Sequence, residues 1–106
     1  ITKYDFIILD PPAFAKSKFD VVNACRGYKD INRLAMKSIR AEGLILTCSC
    51  SHFVDEQLFR QVLFQAAAES GRNVQIISHH ILAPDHPISL YHPEGEYLKS
   101  FLLRVW

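Results

Sequence analysis

The apolar run Tyr4-Asp-Phe-Ile-Ile-Leu9 stops at Asp10 and is followed at once by Pro11 and Pro12. Phe6 to Leu9 show no polar alternation, which predicts a strand covered on both faces, as in a parallel sheet. Proline has no N–H and locks φ, and Pro12 drives Pro11 toward an extended conformation. The strand must therefore end here, and no helix can begin. A carboxylate is displayed on a stiff tip just past the carboxyl end of a strand, where open α/β sheets bind their ligands.

The rest of the chain alternates in a way that suits such a sheet. After a loop, Ala13 to Phe19, carrying Lys16 and Lys18, Asp20 is placed to cap a first helical turn. From Tyr28 onward, Tyr28, Ile31, Leu34, Ala35, Ser38 and Ile39 recur at helical spacing, with Lys29, Asn32, Arg33, Lys37 and Arg40 opposite. Gly43 is suited to closing this helix in the left-handed conformation. Leu44 to Cys50 predicts a second buried strand that turns polar at its end. Asp55 is an N-cap for a helix from Glu56 to about Ser70, whose buried stripe is Leu58, Phe59, Val62, Leu63, Ala66 and Ala67; Gly71 closes it. Val74 to His79 reads as a third strand, and His80 to Glu96, with its three prolines and Gly95, as a loop. Tyr97 to Val105 is a final strand with Tyr97, Lys99, Phe101, Leu103 and Val105 on one side. Strands alternating with helices predict parallel pairing through right-handed crossovers, and the last two strands, with no helix between them, an antiparallel pair.

At 106 residues the chain is one domain or less, and its 49% hydrophobic and 22% charged content is that of a globular protein. A net charge of +1 gives no bulk attraction for nucleic acid or membrane, so any nucleic-acid partner has to be held by a local patch or by parts of the protein outside these residues. No apolar run reaches the roughly 20 residues that span a bilayer, and no signal peptide is visible. Three cysteines, Cys25, Cys48 and Cys50, make a poor disulfide framework and favour a reducing, cytoplasmic setting. Cys48 and Cys50 alone do not make a zinc site, and His79, His80, His86 and His92 match no familiar zinc spacing, so no metal is expected. The chain opens at Ile1 and enters a buried-type strand within three residues, which suggests a piece of a longer protein.

Five motifs occur in order: Asp-Pro-Pro-Ala-Phe-Ala-Lys-Ser-Lys (10–18), Ala-Cys-Arg-Gly-Tyr-Lys-Asp-Ile-Asn (24–32), Thr-Cys-Ser-Cys-Ser (47–51), Asp-His-Pro (85–87) and Glu-Tyr-Leu-Lys (96–99). Together they resemble the C-terminal half of the S-adenosylmethionine-dependent ribosomal RNA large-subunit methyltransferases that make 5-methylcytosine. The resemblance implies an α/β fold: part of a class I methyltransferase, Rossmann-like, three-layered and mostly parallel with an antiparallel last strand. Residues 1–106 would supply its fourth strand onward. The cofactor-binding half, with its glycine-rich motif, and an RNA-binding domain of PUA type would precede Ile1. The glycines present, Gly27, Gly43, Gly71 and Gly95, form no Gly-x-Gly after a strand. The isolated chain is therefore expected to transfer no methyl group and to bind S-adenosylmethionine weakly at best.

C5 of cytosine is a weak nucleophile, and a thiolate adding to C6 makes C5 nucleophilic, which is covalent catalysis. By resemblance Cys50 is that thiolate, the cysteine of the Ser-Cys-Ser motif, while Cys48 falls where relatives carry an ordinary core residue. Both could equally be small buried hydrophobes. Asp10 could hydrogen-bond N3 of the base, and Asp10, Pro11 and Pro12 could contact the methyl donor; the plain alternative is an Asp that caps a turn. Lys16, Lys18, Arg26 and Lys29 could hold RNA phosphates around the mouth, or be a solvated face. Phe14 and Tyr28 could line the base pocket, or Tyr28 be core. Lys99 with Tyr97 could line it too, or Lys99 be a snorkelling strand-end lysine. His86 reads as a loop organiser. A flipped cytosine is expected, because its reacting carbons are out of reach in a stacked helix.

Two other functions fit parts of the pattern. One is a methyltransferase acting on guanine, another RNA base or an unknown substrate, a reading that Cys50 opposes. The other is a non-catalytic remnant that binds itself or another chain. Either way the outer edge of the first strand would be exposed, an association hazard that predicts a homodimer or a covering partner.

Overall fold

The computed structural model describes residues 4–11, 18–49, 53–82 and 98–106; for Lys18, His80, Ile81, Leu82 and Leu98 it describes the backbone alone. The elements are β1 (Tyr4–Leu9), a short 3-10 turn (Lys18–Asp20), α1 (Val21–Ser38), β2 (Ile39–Ser49), α2 (Glu56–Ser70), β3 (Val74–Leu82) and β4 (Leu98–Val105). The sheet order is β1-β2-β4-β3. β1 pairs with β2 in parallel, and β4 is antiparallel to both β2 and β3.

This corrects the mostly parallel sheet expected from the sequence. β1, β2 and β3 do run in one direction, and β4 is the antiparallel last strand. Because β4 inserts between β2 and β3, however, two of the three pairings are antiparallel and the sheet is mixed. The described residues also form two layers, not three. α1 and α2 pack on each other over one face, and the opposite face carries exposed Tyr4, Phe6 and Ile8.

α2 follows its local signals. Asp55 accepts a hydrogen bond from the Leu58 amide at 2.8 Å, and Gly71 ends the helix at φ 74°. Phe59, Val62, Leu63 and Ala66 form its buried stripe.

α1 departs from its expected limits and face. It begins at Val21, and Asp20 occupies the N-cap position without a side-chain cap bond. Its buried face is Ala24, Tyr28, Asn32, Ala35 and Met36, so Asn32 lies inside and Leu34 outside, the reverse of the expected pattern. The helix stops at Ser38, and Ile39 already starts β2. Gly43 is thus a strand residue and not a helix cap. A Cβ there would stand 2.5 Å from Ile39 Cγ1 and 2.8 Å from the Arg40 carbonyl oxygen, so the site requires glycine for close approach. The stop comes from a distant residue: Arg72 Nη1 donates to the carbonyls of Met36 and Ile39 at 2.7 and 2.6 Å, satisfying groups a helix end leaves open.

An aromatic row joins the layers. Tyr28 meets Phe59 edge-on with ring centroids 5.5 Å apart, and Phe59 meets Phe101 of β4 at 5.7 Å. With Ile45, Leu103 and Val105 these side chains form the core, each worth about 1.5–3 kcal/mol of transfer free energy when fully buried.

Candidate active site

β1 and β2 determine where the tip of β1 lies. Leu9 is in register with Thr47, so Asp10 leaves the sheet beside the polar end of β2. α1 and α2 begin at this same end, because each is the crossover that follows a strand's carboxyl terminus. Asp10 is exposed and Pro11 half-buried. Pro12, Phe14, Lys16, Cys50, His86 and Tyr97 lie outside the described residues, as does the side chain of Lys18.

The described cationic residues separate into different roles. Arg26 is exposed on the first half of α1. It lines a groove of about 370 Å³ between the helices, with Val21, Cys25, Leu58, Gln61 and Val62. Lys29 turns toward α2 and pairs with Glu69 at 3.2 Å and Asp30 at 3.5 Å. The Glu69 pair ties α1 to α2, and Lys29 borders the same groove as Arg26. Tyr28 is fully buried in the aromatic row, the core position weighed beside a pocket role.

Lys99 is not a snorkelling lysine. It is 4% exposed and stands opposite Ser49, on the face covered by the helices. Its polar neighbours come from β2, the strand expected to turn polar at its end. Ser49 and Thr47 are buried on the same face, and Thr47 Oγ1 has no hydrogen-bond partner among the described residues. Asn32 is buried in α1, donates to the Tyr28 carbonyl at 2.8 Å, and leaves its Oδ1 without a partner among the described residues. The available signal was the change from apolar to hydroxyl side chains along Leu46-Thr-Cys-Ser49.

Two cysteines are described, neither in a disulfide. Cys48 is buried in register with Ser100, on the sheet face opposite Thr47 and Ser49. Cys25 borders the helix groove, where burial pushes its thiol pKa up and disfavours the thiolate. Among the described residues no group of three or more His, Cys, Asp or Glu side chains could hold a metal ion. No described helix is long and apolar enough to cross a membrane.

No family model matches the chain. Curated relatives do. A ribosomal RNA large subunit methyltransferase I of Tolumonas auensis is 47% identical over 103 residues, 97% of this chain and 26% of that protein. The proteins of the same name from Vibrio vulnificus and Aliivibrio fischeri are 47% and 49% identical over 104 residues, 98% of this chain and again 26% of each relative. The chain thus spans about a quarter of the length of the curated relatives it matches. Among solved structures, SMU.776, assigned as a methyltransferase and solved in complex with SAH, superposes with a TM-score of 0.72 at 23% identity, covering 95% of this chain and 26% of that one. An assigned SAM-dependent methyltransferase from Streptococcus mutans gives a TM-score of 0.70 at 21% identity, with 95% and 25% covered. These likenesses show the fold, a partial Rossmann-like class I methyltransferase sheet. Over nearly all of its own length, and about a quarter of theirs, the chain matches the ribosomal RNA large subunit methyltransferase I family.

Proposed function

We propose that this chain carries the base pocket of an S-adenosylmethionine-dependent methyltransferase acting on C5 of a cytosine in large-subunit ribosomal RNA. The observation that carries the reading is the parallel register of Leu9 with Thr47, which sets Asp10 and the end of β2 side by side at the ligand-binding end of the sheet. The names of the curated relatives support the substrate class, and the SAH in a structural neighbour supports the donor.

An exposed carboxylate on a proline-stiffened tip fits one wall of a site for a sulfonium compound. S-adenosylmethionine, held by Asp10, Pro11 and Pro12, supplies the electrophilic methyl group. The chain's own residues act on the base. The Cys50 thiolate bonds to C6 and makes C5 nucleophilic; after C5 is methylated, its proton leaves to a base and the S–C6 bond breaks, which regenerates the thiolate. Asp10 lends a proton to N3, which draws electrons from C6 during attack, and takes it back when the S–C6 bond breaks. Arg26, with Lys16, holds phosphates at the rim, and Phe14 lines the pocket. The cofactor-binding half and the RNA-binding domain belong to the rest of the relatives' length, so residues 1–106 alone transfer no methyl group. The setting is cytoplasmic.

RNA containing 5-fluorocytosine tests this in the full-length enzyme, because fluorine cannot leave C5 as a proton does and the adduct is trapped. Cys50→Ala is expected to abolish the adduct. An undiminished adduct removes Cys50 from the role.

A second proposal concerns association. Phe6 is 49% and Ile8 62% exposed on the sheet face away from the helices, and the outer edge of β1 has no partner strand among the described residues. Alone in solution the chain pairs with a second copy over this surface. A stable monomer by light scattering refutes that.

A further inference from the structure

The groove between the first halves of α1 and α2 carries an inference that rests on the reading of RNA as the substrate. Its volume is about 370 Å³. That is the small end of the roughly 300–1,000 Å³ that ligand clefts occupy, room for one nucleoside and not for a duplex. Its floor is apolar. Val62 belongs to the core, and Cys25 and Leu58 pack against it. Burial pushes the Cys25 thiol pKa up, so at neutral pH the floor carries no charge.

The rim is polar. Arg26 and Lys29 border the groove from α1, and Gln61 and Gln65, neighbours on one helix face, border it from α2. None of the lining residues is acidic. Lys29 is already engaged by Glu69 and Asp30, at 3.2 and 3.5 Å. Arg26 is exposed and has no ion-pair partner among the described residues. Both helices begin at this end, and a helix N-terminus carries partial positive charge that favours an anion.

This combination fits a nucleotide. The guanidinium of Arg26 suits a phosphate, which it can hold with two parallel bonds. The apolar floor suits the face of a base. A side-chain amide both donates and accepts, so Gln61 and Gln65 can meet the edge of any base. The groove opens on the exposed side of the helices, where Val22, Arg26, Gln61 and Gln65 lie, whereas Asp10 leaves the sheet at the end of β1. A base in the groove is therefore not the one that reacts. Flipping a cytosine breaks its stacks with both neighbours, and proteins read single-stranded RNA by taking up such splayed bases.

We propose that the groove between α1 and α2 is a subsite for an unstacked nucleotide near the target cytosine, with Arg26 on its phosphate and Gln61 and Gln65 on its base edge.

The test uses the full-length enzyme and protein-free large-subunit ribosomal RNA. Iodoacetamide labelling of Cys25 at about pH 8.5, where an ordinary thiol is half ionised, is read by peptide mass spectrometry and reports on the floor of the groove. Saturating RNA is expected to slow this labelling about fivefold to tenfold, because a filled cleft excludes the reagent. Gln61→Glu combined with Gln65→Glu changes two exposed positions and sets like charge against the RNA, so RNA affinity in filter binding should fall about tenfold. Arg26→Ala should reduce the slope of log K against log salt by about one. Unchanged labelling of Cys25 in saturating RNA overturns the proposal, as does unchanged RNA affinity in the folded double variant. A groove filled by another part of the enzyme gives the first of these results, since Cys25 then labels equally slowly with and without RNA. The two readings fail separately. If the wild type binds no RNA, both fall; if it binds RNA and Cys25 is not protected, the subsite alone is dismissed. If Cys50→Ala keeps the fluorocytosine adduct, the role of Cys50 falls, and protection of Cys25 by RNA still upholds the subsite.

Discussion

The guanidinium of Arg72 lies 2.6 Å from the carbonyl oxygen of Ile39, the residue at which α1 becomes β2. The same side chain reaches Met36 at 2.7 Å and, through Nε, the carbonyl of Trp106 at 3.0 Å. One planar donor fork thus fastens the end of a helix, the start of a strand and the residue after β4. Arg72→Ala is expected to destabilise the fold by about 2–3 kcal/mol, since hydrogen bonds to charged groups are among the stronger ones. Arg72→Lys should recover only part of this, because a point charge cannot reproduce the fork. Urea unfolding of the two variants checks both expectations.

Gly43 and Gly71 make contrasting demands. At Gly43 the obstacle is space, so Gly43→Ala and Gly43→Asn should both cost about 1–3 kcal/mol through overpacking against Ile39. At Gly71 nothing lies within 4 Å of a new Cβ and the difficulty is φ 74° alone. Gly71→Ala should cost about 1 kcal/mol and Gly71→Asn much less, because asparagine tolerates the left-handed region. Thermal unfolding of the four variants distinguishes the two causes.

Legibility from sequence follows the same division between local and distant causes. α2 was readable because Asp55 and Gly71 are its own punctuation. The end of α1 was not, because its open carbonyls are satisfied by Arg72, more than thirty positions away, which left Gly43 as a misleading local signal. Its buried face was obscured because Ala24, Asn32 and Ala35 carry little hydrophobic contrast, while apolar Leu34 points outward. The antiparallel last strand was legible, but its insertion between β2 and β3 was not, since strand order is decided by tertiary pairing. At the site, Asp10 is exposed just past the carboxyl end of β1. Tyr28 and Lys29 were named for chemistry and are held by packing and by Glu69.

Burial raises the Cys25 pKa in the folded chain. Above roughly pH 8.5 an unfolded thiol ionises first, so the unfolded state then holds fewer protons and stability falls as pH rises. Below that range both states are protonated and the thiol contributes no pH dependence. Cys25→Ala should therefore flatten the alkaline limb of a stability–pH profile without altering it at pH 7. In the wild type, Cys25 should alkylate more slowly than an unhindered thiol at pH 8.

Ile8 is the most exposed of the large apolar residues on β1. Ile8→Lys places a charge in the proposed contact surface while keeping every backbone hydrogen bond of the strand. Light scattering should show a shift to monomer, with circular dichroism unchanged. Persistence of the oligomer would move the contact elsewhere.

β4 lies between β2 and β3 although it follows both in sequence. Among the described strands, β3 therefore emerges during synthesis with no neighbour to bind, and β2 with a neighbour on one side only. The sheet closes when residues 98–105 slot into the gap, which makes the late-emerging strand a zipper for elements made earlier. A ribosome-stalled chain ending before Leu98 should expose two adjoining apolar strand edges, the kind of surface that nascent-chain chaperones engage.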